Sequence, residues 1–263
     1  MGLLTKANTL DNEKGMAFSD FVKKYKLKFC AVFEKNNNNF LIKNSIGFDG
    51  VSILSSLSTQ DYWNGICSNL NELNIFSDDN RTLSPLLQLF SFAQKDDIKT
   101  IAIYRFSPNK IFMLCNQDFP KECINDLLTV NDSKESINFI SLNRLITRES
   151  KVLKMTIDFQ EAVESFLQAQ VKDKEKAALF MPSLCKEISN RFLCYFSKDV
   201  SSCISNNSVK TIFVVTKDLT QEHLVNHIIL NLSSVIGKYS EIINFSLDGT
   251  ANSIPEIKEY LQV

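Results

Sequence analysis

Glycine, proline and histidine are scarce in this sequence: its 263 residues carry seven, five and two of them. The shortage of glycine removes whole classes of phosphate chemistry. There is no G-x-x-x-x-G-K-[ST] and no G-x-G-x-x-G, the loops whose backbone N–H groups cradle phosphates. There is no G-x-S-x-G elbow to present a hydrolase serine. With His223 and His227 as the only imidazoles, any Ser-His or Cys-His catalytic pair must use one of them. An excess of charge is missing too. Lys and Arg number 29 against 30 Asp and Glu, for a net charge of −1. No basic stripe marks the electrostatic footprint of a nucleic-acid binder, so no nucleic-acid partner is expected. No apolar run approaches the roughly 18 residues that would cross a bilayer. The opening MGLLTKANTLDNEKG has no long apolar segment of the secretory kind, and Lys6 stands where a myristoylation pattern needs Ser or Thr. The expectation is a cytoplasmic protein with no membrane partner.

Cysteine is present, but not in a pattern. Cys30, Cys67, Cys115, Cys123, Cys185, Cys194 and Cys203 make an odd count with no C-x-x-C spacing. That argues against a disulfide framework and against a zinc site. Cys30 and Cys115 lie inside apolar runs and read as small core hydrophobes.

What is there is an ordinary globular composition, 44% hydrophobic and 22% charged, long enough to bury a core without metal or disulfide staples. The periodicities predict an α+β fold. Residues 1–16 read as a tail. AFSDFVKKY has helical spacing, LKFCAVFEK and NFLIKNSIGF read as two antiparallel strands joined at the Asn run, and GVSILSSLSTQDYW reads as a short helix or helical turn. Ser84 and Pro85 read as the N-cap and first residue of a helix carrying Leu86, Leu87, Leu89, Phe90 and Ala93. KTIAIYRF and KIFMLCN form a second strand pair, FPKECINDLLTV a helix, and INFISLNRLI a strand. Residues 148–263 read as a smaller α/β domain opening on a helix from Asp158 to Val171. KDKEK (172–176) ends that helix or links it to the next, and Pro182 starts that next helix. SVKTIFVVTK and SEIINFSLDG are strands around a helix capped by Thr220 and stopped by Gly237, and SIPEIKEYL closes the chain with capping-box spacing at Ser253 and Glu256. KTIAIYRF and KTIFVVTK each sit between helices and precede a further strand, the outline of a weak repeat, although apolar strands resemble one another by chance.

Chemistry-bearing pairs are few. His223 and His227 are i and i+4 on one helix and could share a metal, but HLVNH lacks the glutamate of HExxH and no third ligand is marked. They fall on the polar flank beside Asn231, where a solvated pair is the plainer reading. Asp78–Asp79 and Asp96–Asp97 sit at the ends of apolar segments, where acids mark turns and caps.

The segments FCAVFEK (29–35), NFLIKNSIGF (39–48), YWNGI (62–66), IAIYRF (101–106) and IFMLC (111–115) fall in an order that resembles a GAF-type domain of the GAF/PAS group of sensory modules. The resemblance covers residues 17–147. It implies a central antiparallel sheet backed by helices, with a small-ligand pocket on one side. Phe48, Tyr62, Trp63, Cys67 and Tyr104 are then the pocket candidates. Cyclic-nucleotide members carry N-K…F-x-x-x-D-E; here Asn109-Lys110 and Phe119 are followed by Cys123-Ile124, which argues against a cyclic nucleotide, and no cofactor is named. The expectation is a non-enzymatic regulatory or sensory protein whose N-terminal module binds a small ligand or dimerises, with helices 158–171 and 183–196 as the homodimer surface. Two other readings stay open. One is a small enzyme or metal-binding protein using His223 and His227, with Glu222 or Asp218, between the halves. The other is a structural subunit whose pocket is filled by its own side chains.

Overall fold

The structure, a computed structural model, describes residues 15–77, 82–130, 150–195, 201–205, 207–216 and 220–261. The strand expected over INFISLNRLI lies outside the described residues. Two antiparallel sheets and their helices form an α+β fold.

Helix α1 (Phe18–Lys24) leads into β1 (Cys30–Asn36) and β2 (Asn39–Ile46). The Asn run is the hairpin tip: Asn36 pairs with Asn39, and Asn37 takes φ +54°, a left-handed conformation that Asn tolerates. The expected short helix becomes α2 (Gly50–Ser55), the two-residue strand β3 (Ser58–Thr59) and α3 (Gln60–Ile66). Then follow β4 (Leu73–Ser77), α4 (Ser84–Leu87), α5 (Phe92–Lys95), β5 (Thr100–Ser107), β6 (Lys110–Cys115) and α6 (Cys123–Thr129). The single helix expected after Pro85 is two short turns, because Ser91 caps a fresh start by accepting from the Gln94 N–H. The sheet order is β3-β2-β1-β6-β5-β4.

Both faces of this sheet are buried, and strand alternation sorts its residues. Cys30, Val32, Ala102, Tyr104, Phe112 and Leu114 face a core closed by Phe18, Phe21, Cys123 and Leu127 of α1 and α6. Ala31, Phe33, Ile101, Ile103, Ile111 and Met113 face the larger core, which holds Trp63, Leu86 and Phe90 and continues into the second half of the chain.

That half begins with a strand the sequence pattern did not reveal, β7 (Ser150–Asp158), then α7 (Gln160–Gln170), α8 (Lys174–Tyr195), β8 (Ser201–Ser205), β9 (Ser208–Thr216), α9 (Gln221–Ile236), a 3-10 helix (Gly237–Ile242), β10 (Asn244–Ala251) and α10 (Ile254–Leu261). Its sheet order is β10-β7-β9-β8. Leu153, Met155, Ile157, Val209, Phe213 and Val215 turn to the shared core, while Val152 and Ile212 pack on Ile257 and Leu261 of α10.

Helix α8 corrects two expectations. Of KDKEK only Lys172 and Asp173 link the two helices, since α8 already starts at Lys174, and Pro182 lies inside that helix rather than at its start. An interior proline costs a helix about 3 kcal/mol; burial of Phe180, Leu184, Ile188 and Phe192 in the shared core offsets that. The helix also covers an open edge. The short β3 pairs only with Asn39 and Phe40 of β2. Farther along, Ser183 Oγ donates to the Ile42 carbonyl (2.5 Å) and Asn190 Nδ2 to the Ser45 carbonyl (3.0 Å). Helix side chains thus bond carbonyls on the stretch of β2 that β3 does not cover, one of the ways proteins blunt sheet edges.

Candidate functional site

The five residues expected to line a pocket do not converge on one. Trp63 is fully buried, with ring centroids 4.9 Å from Phe33, 6.2 Å from Phe40 and 5.5 Å from Tyr62. Phe48 is packed between Phe29 (4.7 Å) and Phe90 (5.6 Å). Cys67 is buried at the end of α3, and burial pushes its thiol up to about 11 although Arg105 pulls it down. Tyr62 is half-buried, its hydroxyl donating to the Pro85 carbonyl. Tyr104 is on the opposite face of the sheet, beside Phe106 and Phe119, because β5 alternates and Ile103 takes the other side. These aromatics fill space. Trp63 Nε1 is buried with no hydrogen-bond partner among the described residues, which is what a ring surrounded by hydrocarbon would show.

The helix expected to pair with a second copy is also engaged inside the chain. Every residue from Ser183 to Leu193 is buried apart from Lys186, so little of that stretch is left for a partner.

A polar junction forms instead where β2 ends. Glu187 of α8 is completely buried, yet its carboxylate accepts from Ser45 Oγ (2.6 Å), the Gly47 N–H (2.9 Å) and Arg191 Nε (2.7 Å). Arg191, 7% exposed, donates further from Nη2 to the Phe48 carbonyl (2.9 Å) and from Nη1 to Ser234 Oγ of α9. One ion pair therefore ties β2, α8 and α9 together. Buried pairs are tolerable when hydrogen bonds support both partners; here both carboxylate oxygens and all three guanidinium nitrogens are engaged. Gly47 is required at this point. Its φ is +94°, and a Cβ would sit 2.5 Å from the Lys28 carbonyl oxygen. The next turn is held equally firmly. Asp49 caps α2 by accepting from the Ser52 N–H (2.7 Å), and Gln94 accepts from Ser52 Oγ (2.7 Å) while donating to the Gly47 carbonyl (2.7 Å).

Directly against this junction is a cleft of about 440 Å³. Its lining comes from segments flanking β1, β2, β5 and β6 (Lys28, Phe29, Gly47, Asp97, Cys115, Asn116, Gln117), from Gln94, and from Arg191, Tyr195 and Ser234. None of the five expected pocket residues is among them. The amide side chains are structural. Asn116 Oδ1 accepts from the Lys99 N–H (2.8 Å), Asn116 Nδ2 donates to the Asp97 carbonyl (2.9 Å), and Gln117 Oε1 accepts from the Lys28 N–H (2.8 Å). Cys115 at its floor is an inert thiol, raised far by burial. A larger apolar groove, about 770 Å³, runs between α7 and α8 past Leu167, Val171, Ala177 and Met181.

His223 and His227 are exposed on α9. With a helical rise of about 1.5 Å per residue, His223 is about 16 Å along the axis from Ser234, which lines the cleft. Among the described residues no group of three His, Cys, Asp or Glu is placed to hold a metal. Asp218 lies outside the described residues. Among those residues no helix is long and apolar enough to cross a membrane.

Glu187 and Arg191 were the functional candidates that sequence reasoning missed. The available signal was an i,i+4 acid–base pair embedded in LCKEISNRFLCYF, a segment apolar on too many sides for an exposed pair. Comparison with protein-family models and with curated proteins finds no match to this chain.

Proposed function

We propose that the protein is a small-ligand-binding regulatory module, in which the ligand occupies the cleft at the junction of β2, α8 and α9 rather than a pocket under Trp63. The antiparallel sheet backed by α1 and α6 on one face supports the GAF-like reading of residues 17–147, although the other face, where that resemblance implies a pocket, packs into the shared core. The observation that carries the reading is the position of Arg191. It lines the cleft, is bonded to Phe48 and, through Glu187, to Ser45 and Gly47 of the first sheet, and reaches Ser234 of the second half. A molecule seated there touches groups from both halves at once. Its binding energy then bears on how firmly the halves are held, which is what a sensing role needs.

The test is a thermal-shift screen of the full chain against metabolites of differing charge. A ligand at 100-fold its dissociation constant stabilises by about 2.7 kcal/mol, and Lys28→Trp, which crowds the rim without touching a side-chain bond, should abolish the shift. A second reading, a structural subunit, is favoured by the filled space around Trp63; a screen without any hit would select it.

A further inference from the structure

The charges around the cleft balance, and that balance selects a ligand class. Lys28 and Arg191 are positive, and Asp97 lines the cleft as a negative counterpart. Glu187, bonded to Arg191 behind the wall, neutralises the guanidinium. A polyanion such as a nucleotide would meet no net attraction. The volume, about 440 Å³, is toward the small end of the roughly 300–1,000 Å³ range of small-molecule sites. Two charges remain uncommitted. Lys28 Nζ and the Asp97 carboxylate make no ion pair or side-chain hydrogen bond among the described residues. Arg191 has five N–H donors, of which three are used on Glu187, Ser234 and Phe48, leaving one on each Nη. Phe29 and Tyr195 add aromatic surface to the same cleft.

We propose that the cleft takes a small zwitterion of the free α-amino-acid type. Its carboxylate meets Lys28 and the spare Arg191 N–H groups, its ammonium meets Asp97, and its side chain lies against Phe29 and Tyr195. This rests on the cleft reading above and narrows it to a ligand class. Charge-assisted hydrogen bonds at both ends would give affinity, and neutral overall charge would give selectivity against phosphates and nucleotides.

The experiment is calorimetric titration of the full chain with glycine, L-leucine, L-phenylalanine, L-glutamate and L-lysine, with N-acetyl-leucine, leucinamide, ATP and glucose as contrasts. At least one free amino acid should bind, and either blocked form of leucine should bind less than leucine. Asp97→Asn and Lys28→Gln should each weaken binding about tenfold or more, the loss expected for one charged hydrogen bond of about 1.5–3 kcal/mol. Both side chains are exposed and unbonded, so these variants should melt like the parent protein. Binding of ATP or glucose in place of amino acids, lost in Lys28→Trp, would overturn the zwitterion and leave the cleft standing. Amino-acid binding indifferent to both variants would overturn this site as its location. No binding by any of the probes at about 1 mM, where even a weak millimolar site registers, would overturn both.

Discussion

Trp63 and Arg191 are both buried side chains with polar atoms, and the chain treats them in opposite ways. Trp63 is enclosed by Phe33, Phe40 and Tyr62, and its Nε1 has no partner among the described residues. Arg191 is bonded at all three guanidinium nitrogens and borders open space. The aromatic region is packed to completion, so it offers stability and no room. The polar region is satisfied by its own network, so it can stand beside a cleft without collapsing it. A group of aromatics is thus a poorer guide to a ligand site here than a buried charge that is held at every nitrogen and still has N–H groups to offer.

The largest effect is expected at the junction. Glu187→Ala leaves Arg191 buried without its counter-ion, which should lower unfolding stability by about 3–5 kcal/mol, measured by urea denaturation. Glu187→Gln should lose less, since the amide oxygen can still accept. Equal losses for the two would mean that the charge is not what holds the halves. Trp63→Ala is expected to cost about 3–5 kcal/mol through the cavity it opens. Trp63→Phe should lose clearly less, because no indole hydrogen bond goes with it; a loss as great as that of alanine would show that Nε1 is engaged after all. Gly50→Ala comes next. A Cβ there would meet Phe166 Cζ at 2.6 Å and the Val235 carbonyl oxygen at 2.7 Å, so overpacking of about 1–3 kcal/mol is expected.

Cysteine labelling sharpens the same contrast with a smaller effect. Burial raises the Cys194 thiol to about 12 and that of Cys30 well above the ordinary range. A raised pKa leaves almost no thiolate at pH 8, so a thiol reagent should modify these two slowly in the native protein and fully in urea. His223→Ala and His227→Ala, on the solvated flank of α9, should each change stability by no more than about 0.5 kcal/mol.

The sequence was most readable where one local rule acts alone. Thr220 caps α9 by accepting from the His223 N–H, Gly237 ends it at φ +59°, and the Asn run turns the first hairpin. Ser253 and Glu256 form the expected cap at α10, with Ser253 Oγ accepting from the Glu256 N–H and Glu256 accepting from the Asn252 N–H. It was least readable where a distant partner decides. KVLKMTID carries two lysines, a threonine and an aspartate among four apolar residues yet is the interior strand β7, because β9 and β10 flank it. Pro182 reads locally as a helix start, since no local rule anticipates tertiary burial strong enough to carry a helix through proline. Glu187 and Arg191 are hard to single out in the sequence for a related reason. Their meaning depends on Ser45 and Gly47, more than 130 residues earlier in the chain.

The central claim is that the ligand site is the cleft beside Arg191 and that the space around Trp63 is closed. Trp63 is the only tryptophan, so its indole N–H gives a single resonance in a ¹H–¹⁵N spectrum. On titration with L-leucine, the amides of Gly47, Asn116 and Gln117 should shift while that indole signal stays in place. Movement of the Trp63 indole with the Gly47 amide unchanged would contradict the account.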